Sequence, residues 1–535
     1  MNIFKNNFYF VFAIALLSAT EILPKKNSLF SLIEHSNIRF QKEYELNWQT
    51  LFAQQMPQSA IELANFFKKN LEGNIFLSQK KQPFYLGLSS SAYQFEGGIG
   101  QESSWHRFAL KKDHALPGQA CNFWQNYKEM IKQMKEECGI NSFRLSISWE
   151  RIQESADTFN YKALKKYKKI ILTLKEYNIE PLVVLHHYTV PTWFEDLGGF
   201  EREENIQYFV NFALQIYAAL ADEVTFWSTF NAIEGYAFKG YFTLDGAPGT
   251  KKSMQMTAEV MSNMLKAHVE IYKAIKGVRN RIDPSTSKWQ ELVKTYPDTY
   301  FPCPQIGIQK NIIFLDIAYD TIMHFLCAPT TWALCCIGNL LQNEGFYGFF
   351  NHGVFKTYIP GMVNVMYKDP IAPFTLDWIG VNTYANQKRF LMSVVQDQDE
   401  QLTTENPNYR YYPQGLYRAT HEINNRLNKY ARKCKLCRGS IPIWITENGI
   451  AAHSNAQRED FFKKTLFVVS KLLEEQIPLI GYTPWAAFDN YEWGSKKLGE
   501  KRYGMFYVDF NNVGKRPILK EGSQFFAAFV KTVNT

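Results

Sequence analysis

Three features of the 535-residue sequence predict a single α/β domain, a (β/α)8 barrel with long βα loops and an N-terminal helical extension. Apolar, β-branched stretches recur eight times, at 84–90, 142–148, 181–187, 224–230, 305–313, 376–382, 441–446 and 479–485. Amphipathic helical stretches lie between them, at 122–137, 161–176, 204–220, 254–275 and 459–475. This alternation is the pattern of βα units, whose parallel strands are buried on both faces and read as unbroken apolar runs. No Pro-, Gly- or Ser-rich linker divides the series, and polar residues follow the strands, where a parallel barrel gathers its chemistry.

Composition narrows the class. With 46% hydrophobic and 16% aromatic residues the chain has material for a large core, which excludes a disordered protein. The net charge of +8, from 59 basic and 51 acidic residues, is a small surplus for this length. Lys165, Lys166, Lys168 and Lys169 fit a solvated helix face, and no basic stripe stands apart from helical periodicity, so no nucleic-acid partner is expected.

Residues 1–20 pair a basic start with about a dozen apolar residues ending in small ones, which predicts a signal peptide. The protein would then be exported or enter the secretory pathway, secreted or periplasmic, with no stable membrane insertion after signal removal. The alternative is a buried N-terminal helix and a cytoplasmic protein. Residues 21–81 read as two or three helices, with apolar positions at Phe30, Leu32, Ile33, Leu51, Phe52, Leu63, Phe66 and Phe67. The barrel follows over 82–535. Between 314 and 375 only a helix around Trp332, Cys335, Leu340 and Leu341 is legible. The eight cysteines are irregularly spaced; Cys434 and Cys437 form a lone CxxC that suits a disulfide clip but lacks the second pair a zinc site needs. No metal and no cofactor are expected.

The strand ends carry the candidate chemistry. Gln94 follows the first strand, Arg144 lies in the second and His187 ends the third. Asn231 follows the fourth, Asn382 and Tyr384 the sixth, and Glu447 is delivered into an Asn-Gly turn by the seventh. The eighth leads to Trp485 and then Glu492 and Trp493. Amides and carboxylates pair with hydroxyl groups, and an indole covers the apolar face of a pyranose, so this inventory points to a small carbohydrate.

Several motifs in order carry a resemblance: Ser-Ala-Tyr-Gln-Phe-Glu-Gly at 91–97, Phe-Arg-Leu-Ser-Ile-Ser-Trp-Glu-Arg-Ile at 143–152, and His187 with Pro191. Thr-Phe-Asn at 229–231, Ile-Gly-Val-Asn-Thr-Tyr at 379–384, Ile-Thr-Glu-Asn-Gly at 445–449 and Gly-Tyr-Thr-Pro-Trp through Glu-Trp at 481–493 complete the set. Over residues 82–530 the chain resembles glycoside hydrolase family 1, the retaining β-glucosidases and their relatives. The resemblance implies hydrolysis of β-linked sugars, with Glu447 as nucleophile and Arg144 and Tyr384 holding it. It implies a sugar site built from Gln94, His187, Asn231, Asn382, Trp485, Glu492 and Trp493.

One departure bears directly on the chemistry. The family places a Glu-Pro pair after the Asn that ends the fourth strand, and that Glu is its general acid and base. Here Asn231 is followed by Ala232, Ile233 and Glu234. Ala232 cannot protonate a leaving group, and Glu234 is the candidate substitute. An impaired hydrolase, a non-catalytic glycan-binding protein and a transglycosylase all remain open on this evidence. A 6-phospho-β-glycosidase is a further alternative, because Lys501-Arg502-Tyr503 resembles a phosphate-binding triplet, although relatives of that kind lack the Glu492-Trp493 pair.

Overall fold

The computed structural model describes residues 46–81, 83–249, 253–276, 304–317, 322–384, 386–391, 393–395, 400–433, 436 and 438–535. The expected signal segment and the Cys434–Cys437 pair lie outside these residues. Eight parallel strands close into a barrel in sequence order. They are β1 Tyr85–Ser89, β2 Ser142–Ser146, β3 Glu180–Val184, β4 Phe226–Asn231, β5 Gln305–Asn311, β6 Trp378–Asn382, β7 Ile443–Glu447 and β8 Leu479–Tyr482. Each falls on a stretch the sequence marks as apolar.

The N-terminal end of the barrel is filled by rings. Tyr85 and Trp444 stack at 4.7 Å, Phe226 stands edge-on to both at 5.2 Å, and Trp378 tilts against Trp444 at 6.0 Å. Two strand glycines make the room. A β-carbon on Gly307 would lie 2.6 Å from the Trp378 indole, and one on Gly481 would lie 2.7 Å from that of Trp444. Large and small residues on neighbouring strands thus interdigitate, as a filled barrel interior requires. With the lower end plugged, the buried Asn231, Asn382 and Glu447 lie at the C-terminal ends of their strands.

The expected helices Tyr161–Glu176, Ile206–Leu220, Met254–Lys276 and Asn455–Glu474 surround the barrel. The lysine-rich run sits on Tyr161–Glu176 with Ile170, Ile171 and Leu174 facing the core, so its charges form the outer face. Where the sequence marks one helix of uncertain limits, the chain forms Ile322–Asn339, a π-helical turn Leu340–Glu344 and Gly345–His352. A hairpin Val354–Ile359 and Val363–Lys368 follows. Pro360-Gly361 between two alternating runs is the turn signal for it.

The extension forms helices Trp48–Gln54, Ala60–Glu72 and Ile75–Lys80. Ser59 and Glu62 make a reciprocal capping box at the start of the second. Its buried face presents Phe67 to Phe84, just before β1, and to Phe529 of the C-terminal helix Gln524–Asn534, at 5.2 and 5.3 Å. Asn74 then donates to the carbonyls of Leu473 and Ile477, both at 3.1 Å, where the helix after β7 runs down to β8.

Among the described residues no helix is long and apolar enough to cross a membrane, and no cluster of His, Cys, Asp or Glu could hold a metal ion.

Candidate active site

β7 is buried along its length and ends on Glu447, which is 6% exposed. Its carboxylate is held from two sides: Oε1 lies 2.7 Å from Arg144 Nη2, and Oε2 accepts a hydrogen bond of 2.6 Å from the Tyr384 hydroxyl. Arg144, fully buried on β2, uses the same Nη2 to reach Asn231 Oδ1 at 2.8 Å and Gln309 Oε1. Burial pulls the guanidinium down from its usual range and Glu447 pulls it back up. Removing one member of such a buried pair strands the other charge and typically costs about 3–5 kcal/mol. Tyr384 is held well above an ordinary phenol by burial and then by the Glu447 charge, so it stays a proton donor.

A polar chain continues around the barrel. Asn382 Nδ2 donates to Asn231 Oδ1 at 2.7 Å, and Thr446 Oγ1 donates to Asn382 Oδ1 at 2.7 Å. Asn231 Nδ2 meets His187 Nε2 at 3.2 Å. Burial and then Arg144 hold His187 far below the usual histidine range, so the imidazole is neutral. Asn448, next to Glu447, donates to the Thr383 carbonyl at 2.7 Å and accepts from Tyr482 at 3.1 Å, which fixes the turn after β7.

The loop after β8 supplies the aromatic wall. His187 lies roughly parallel to Trp485 and Trp493 at 5.9 and 6.3 Å, and Trp493 is backed by Tyr93 stacked at 5.7 Å. Trp485 Nε1 donates to Glu492 Oε1 at 3.0 Å. Burial pushes the Glu492 carboxyl up to about 8, with the Glu447 charge adding and the Trp485 bond and Lys501 opposing. Gln94 donates to the Tyr491 carbonyl at 2.7 Å and accepts from Ser91 at 2.8 Å, joining the first loop to the last.

The end of β4 is built differently. The β4–β5 register shifts between Ser228 and Asn231. The next residue, Ala232, takes a left-handed backbone (φ 48°), donates its N–H to Gln309 O at 2.9 Å and starts the helix Ile233–Phe238. Its methyl group is 1% exposed and offers no proton. Glu234 is 2% exposed and turned toward the end of β5, where Oε1 accepts from the Asn311 N–H at 2.6 Å and lies 3.4 Å from Lys310 Nζ. Burial lowers Lys310 from its usual value while Glu234 raises it. Both partners hold Oε1, so the side chain is anchored toward the end of β5.

The structure therefore brings Glu447, Arg144, Tyr384, Asn231, Asn382 and His187 into one contact network, with Gln94, Trp485, Glu492 and Trp493 on the adjoining loops. Sequence reasoning passed over Gln309, which follows the Ile306-Gly307-Ile308 run toward the C-terminal end of β5, where the other strands carry their polar residues. It also missed Tyr409, stacked on Tyr384 at 5.5 Å from the distant β6–β7 loop, for which the sequence holds no cue.

Comparison with known proteins places this geometry in context. The family model described as Glycosyl hydrolase family 1 matches residues 78–300 and 370–535. A 6-phospho-beta-galactosidase of Clostridium acetobutylicum is 27% identical over 477 residues, covering 80% of this chain and 92% of that protein. Beta-glucosidase A of Acetivibrio thermocellus is 25% identical over 476 residues, covering 84% and 97%. Among solved structures, a beta-glycosidase from Pyrococcus horikoshii superposes with a TM-score of 0.66 at 27% identity, covering 84% of this chain and 94% of that one.

Proposed function

The chain belongs to glycosyl hydrolase family 1, and from that premise we propose that it acts on unphosphorylated β-glucosides or related β-linked sugars by double displacement, with Glu447 as nucleophile. The carrying observation is the Glu447 carboxylate fixed between Arg144 at 2.7 Å and Tyr384 at 2.6 Å. A nucleophilic carboxylate has to be aimed and charge-paired, and a phenol donor and a guanidinium do both. The neutral His187, the Asn231 and Asn382 amides, Gln94 and Glu492 supply donors and acceptors for sugar hydroxyls, and the Trp485 and Trp493 indoles supply the apolar wall.

Retaining hydrolysis uses a second carboxyl about 5–5.5 Å from the first to protonate the leaving oxygen and then to activate water. Ala232 provides none. Losing such a group costs about 10²–10⁴-fold, most for poor leaving groups. Turnover is therefore slow on alkyl glycosides and fast only where the leaving group needs no proton.

An aryl β-glucoside with a very good leaving group, offered with and without azide, tests this. Aryl release, accelerated by azide with formation of the β-glycosyl azide, is expected. Sugar binding without even one stoichiometric burst would mark a glycan-binding protein and end the nucleophile assignment. Disaccharide products in place of glucose would mark a transglycosylase.

Two relatives carry 6-phospho-beta-galactosidase in their names, which favours testing a 6-phosphoglycoside beside the plain sugar. In the triplet that resembles a phosphate site, however, Arg502 is engaged by Asp489 at 2.7 Å and the Tyr503 hydroxyl accepts from Asn406 at 2.9 Å. Glu492 also remains at the pocket wall. Preference for the phosphorylated substrate would overturn the unphosphorylated reading.

The basic start and apolar run of residues 1–20 support export. A mature protein that begins at Met1 would refute signal cleavage.

A further inference from the structure

Tyr188 follows His187 in the loop after β3, and its backbone is left-handed (φ 67°). For a bulky aromatic this conformation is a genuine outlier, held only where surrounding structure imposes it and often near an active site. The ring stands edge-on to His187 at 5.4 Å and to Trp493 at 5.8 Å, the two rings of the sugar wall. Its far end rests on Gly235. A β-carbon there would lie 2.4 Å from the Tyr188 hydroxyl oxygen and 3.3 Å from Cε1 and Cζ. Only glycine leaves space for the phenol.

Gly235 belongs to the helix that Ala232 begins, and its N–H closes on the Ala232 carbonyl at 2.9 Å. The phenol thus ends against the same helical turn that would have carried the missing carboxyl. No described residue hydrogen-bonds the hydroxyl, whereas the charges of Glu447 and Glu234 both act on it.

We propose, building on the glycosidase reading above, that the Tyr188 hydroxyl is the proton donor to the leaving oxygen. As Glu447 attacks C1 and the C1–O bond breaks, the leaving oxygen takes the phenol proton, giving a glycosyl ester on Glu447 and a tyrosinate. Water then attacks C1, its proton returns to the tyrosinate, and Glu447 leaves as carboxylate. Burial, with Glu447 and Glu234 adding, holds the phenol well above its ordinary range. It is therefore protonated through neutral pH but a weaker acid than a carboxyl. The proton moves as the C1–O bond breaks and negative charge builds on the leaving oxygen. A smaller gain than a carboxyl gives, about 10–100-fold, follows because catalytic acids work best with a pKa near the working pH.

Tyr188→Phe removes only the hydroxyl. The test measures kcat/KM of the parent and Tyr188→Phe on aryl β-glucosides of falling leaving-group acidity and on methyl β-glucoside. The expected result is near-equal activity on the dinitrophenyl glucoside and a 10–100-fold loss on the poorest leaving groups, a steeper dependence than a merely structural role produces. An unchanged dependence in Tyr188→Phe, whether or not overall activity falls, overturns the assignment while leaving the glycosidase reading intact. A parent protein that releases nothing even from the dinitrophenyl substrate overturns both.

Discussion

The ends of β7 and β4 should share the work of cleaving a glycosidic bond, and they are furnished unequally. At β7, Glu447 has an ion-pair partner on β2, a phenol donor after β6 and a turn fixed by Asn448. At β4, Asn231 is tied into the same network, but the next residue is an alanine and the nearest carboxylate, Glu234, is bonded to Lys310 and Asn311. The frame around Glu447 is complete although the end of β4 offers no carboxyl at Ala232. The two ends are positioned by different strands and joined through Asn231 and Gln309, so the frame around Glu447 does not depend on a carboxyl at β4.

The contrast can be broken most completely at β7. Glu447→Gln should abolish aryl release, a loss on the order of 10⁴-fold or more, measured as the pre-steady-state burst. Ala232→Glu should sharpen it from the other side by raising hydrolysis of poor leaving groups about 10²–10⁴-fold and removing the azide effect; steady-state rates on methyl β-glucoside check this. Tyr384→Phe keeps the carboxylate but removes one donor, and a drop of about 10²-fold in kcat is expected from initial rates. Glu234→Gln should do least, changing kcat by no more than about threefold, since the buried side chain is turned toward Lys310 and Asn311. A large loss there, without a fall in melting temperature, would show that Glu234 reaches the substrate.

The barrel was legible because its strands are buried on both faces. An apolar run such as Ile441–Ile445 has one stable place in an α/β protein, and the strand Ile443–Glu447 falls on it. Residues whose role follows from a strand end were legible for the same reason, Glu447, Asn382 and Asn231 among them. Gln309 and Lys310 were not, since their meaning depends on Arg144 and Glu234, 165 and 76 positions away in sequence. Tyr188 carried no cue either. Its left-handed backbone and its contact with Gly235 arise only when the β3 and β4 loops are brought side by side.

The Phe67 and Asn74 contacts give the N-terminal helices a role of another kind. Phe67 packs between Phe84 and Phe529, and Asn74 satisfies two carbonyls at the end of the helix that follows β7. Cutting the chain at residue 82 would uncover both rings and remove the two Asn74 hydrogen bonds, so the boundary seen in the sequence is no boundary of cooperativity. From Trp48 onward the extension and the barrel should melt in one transition.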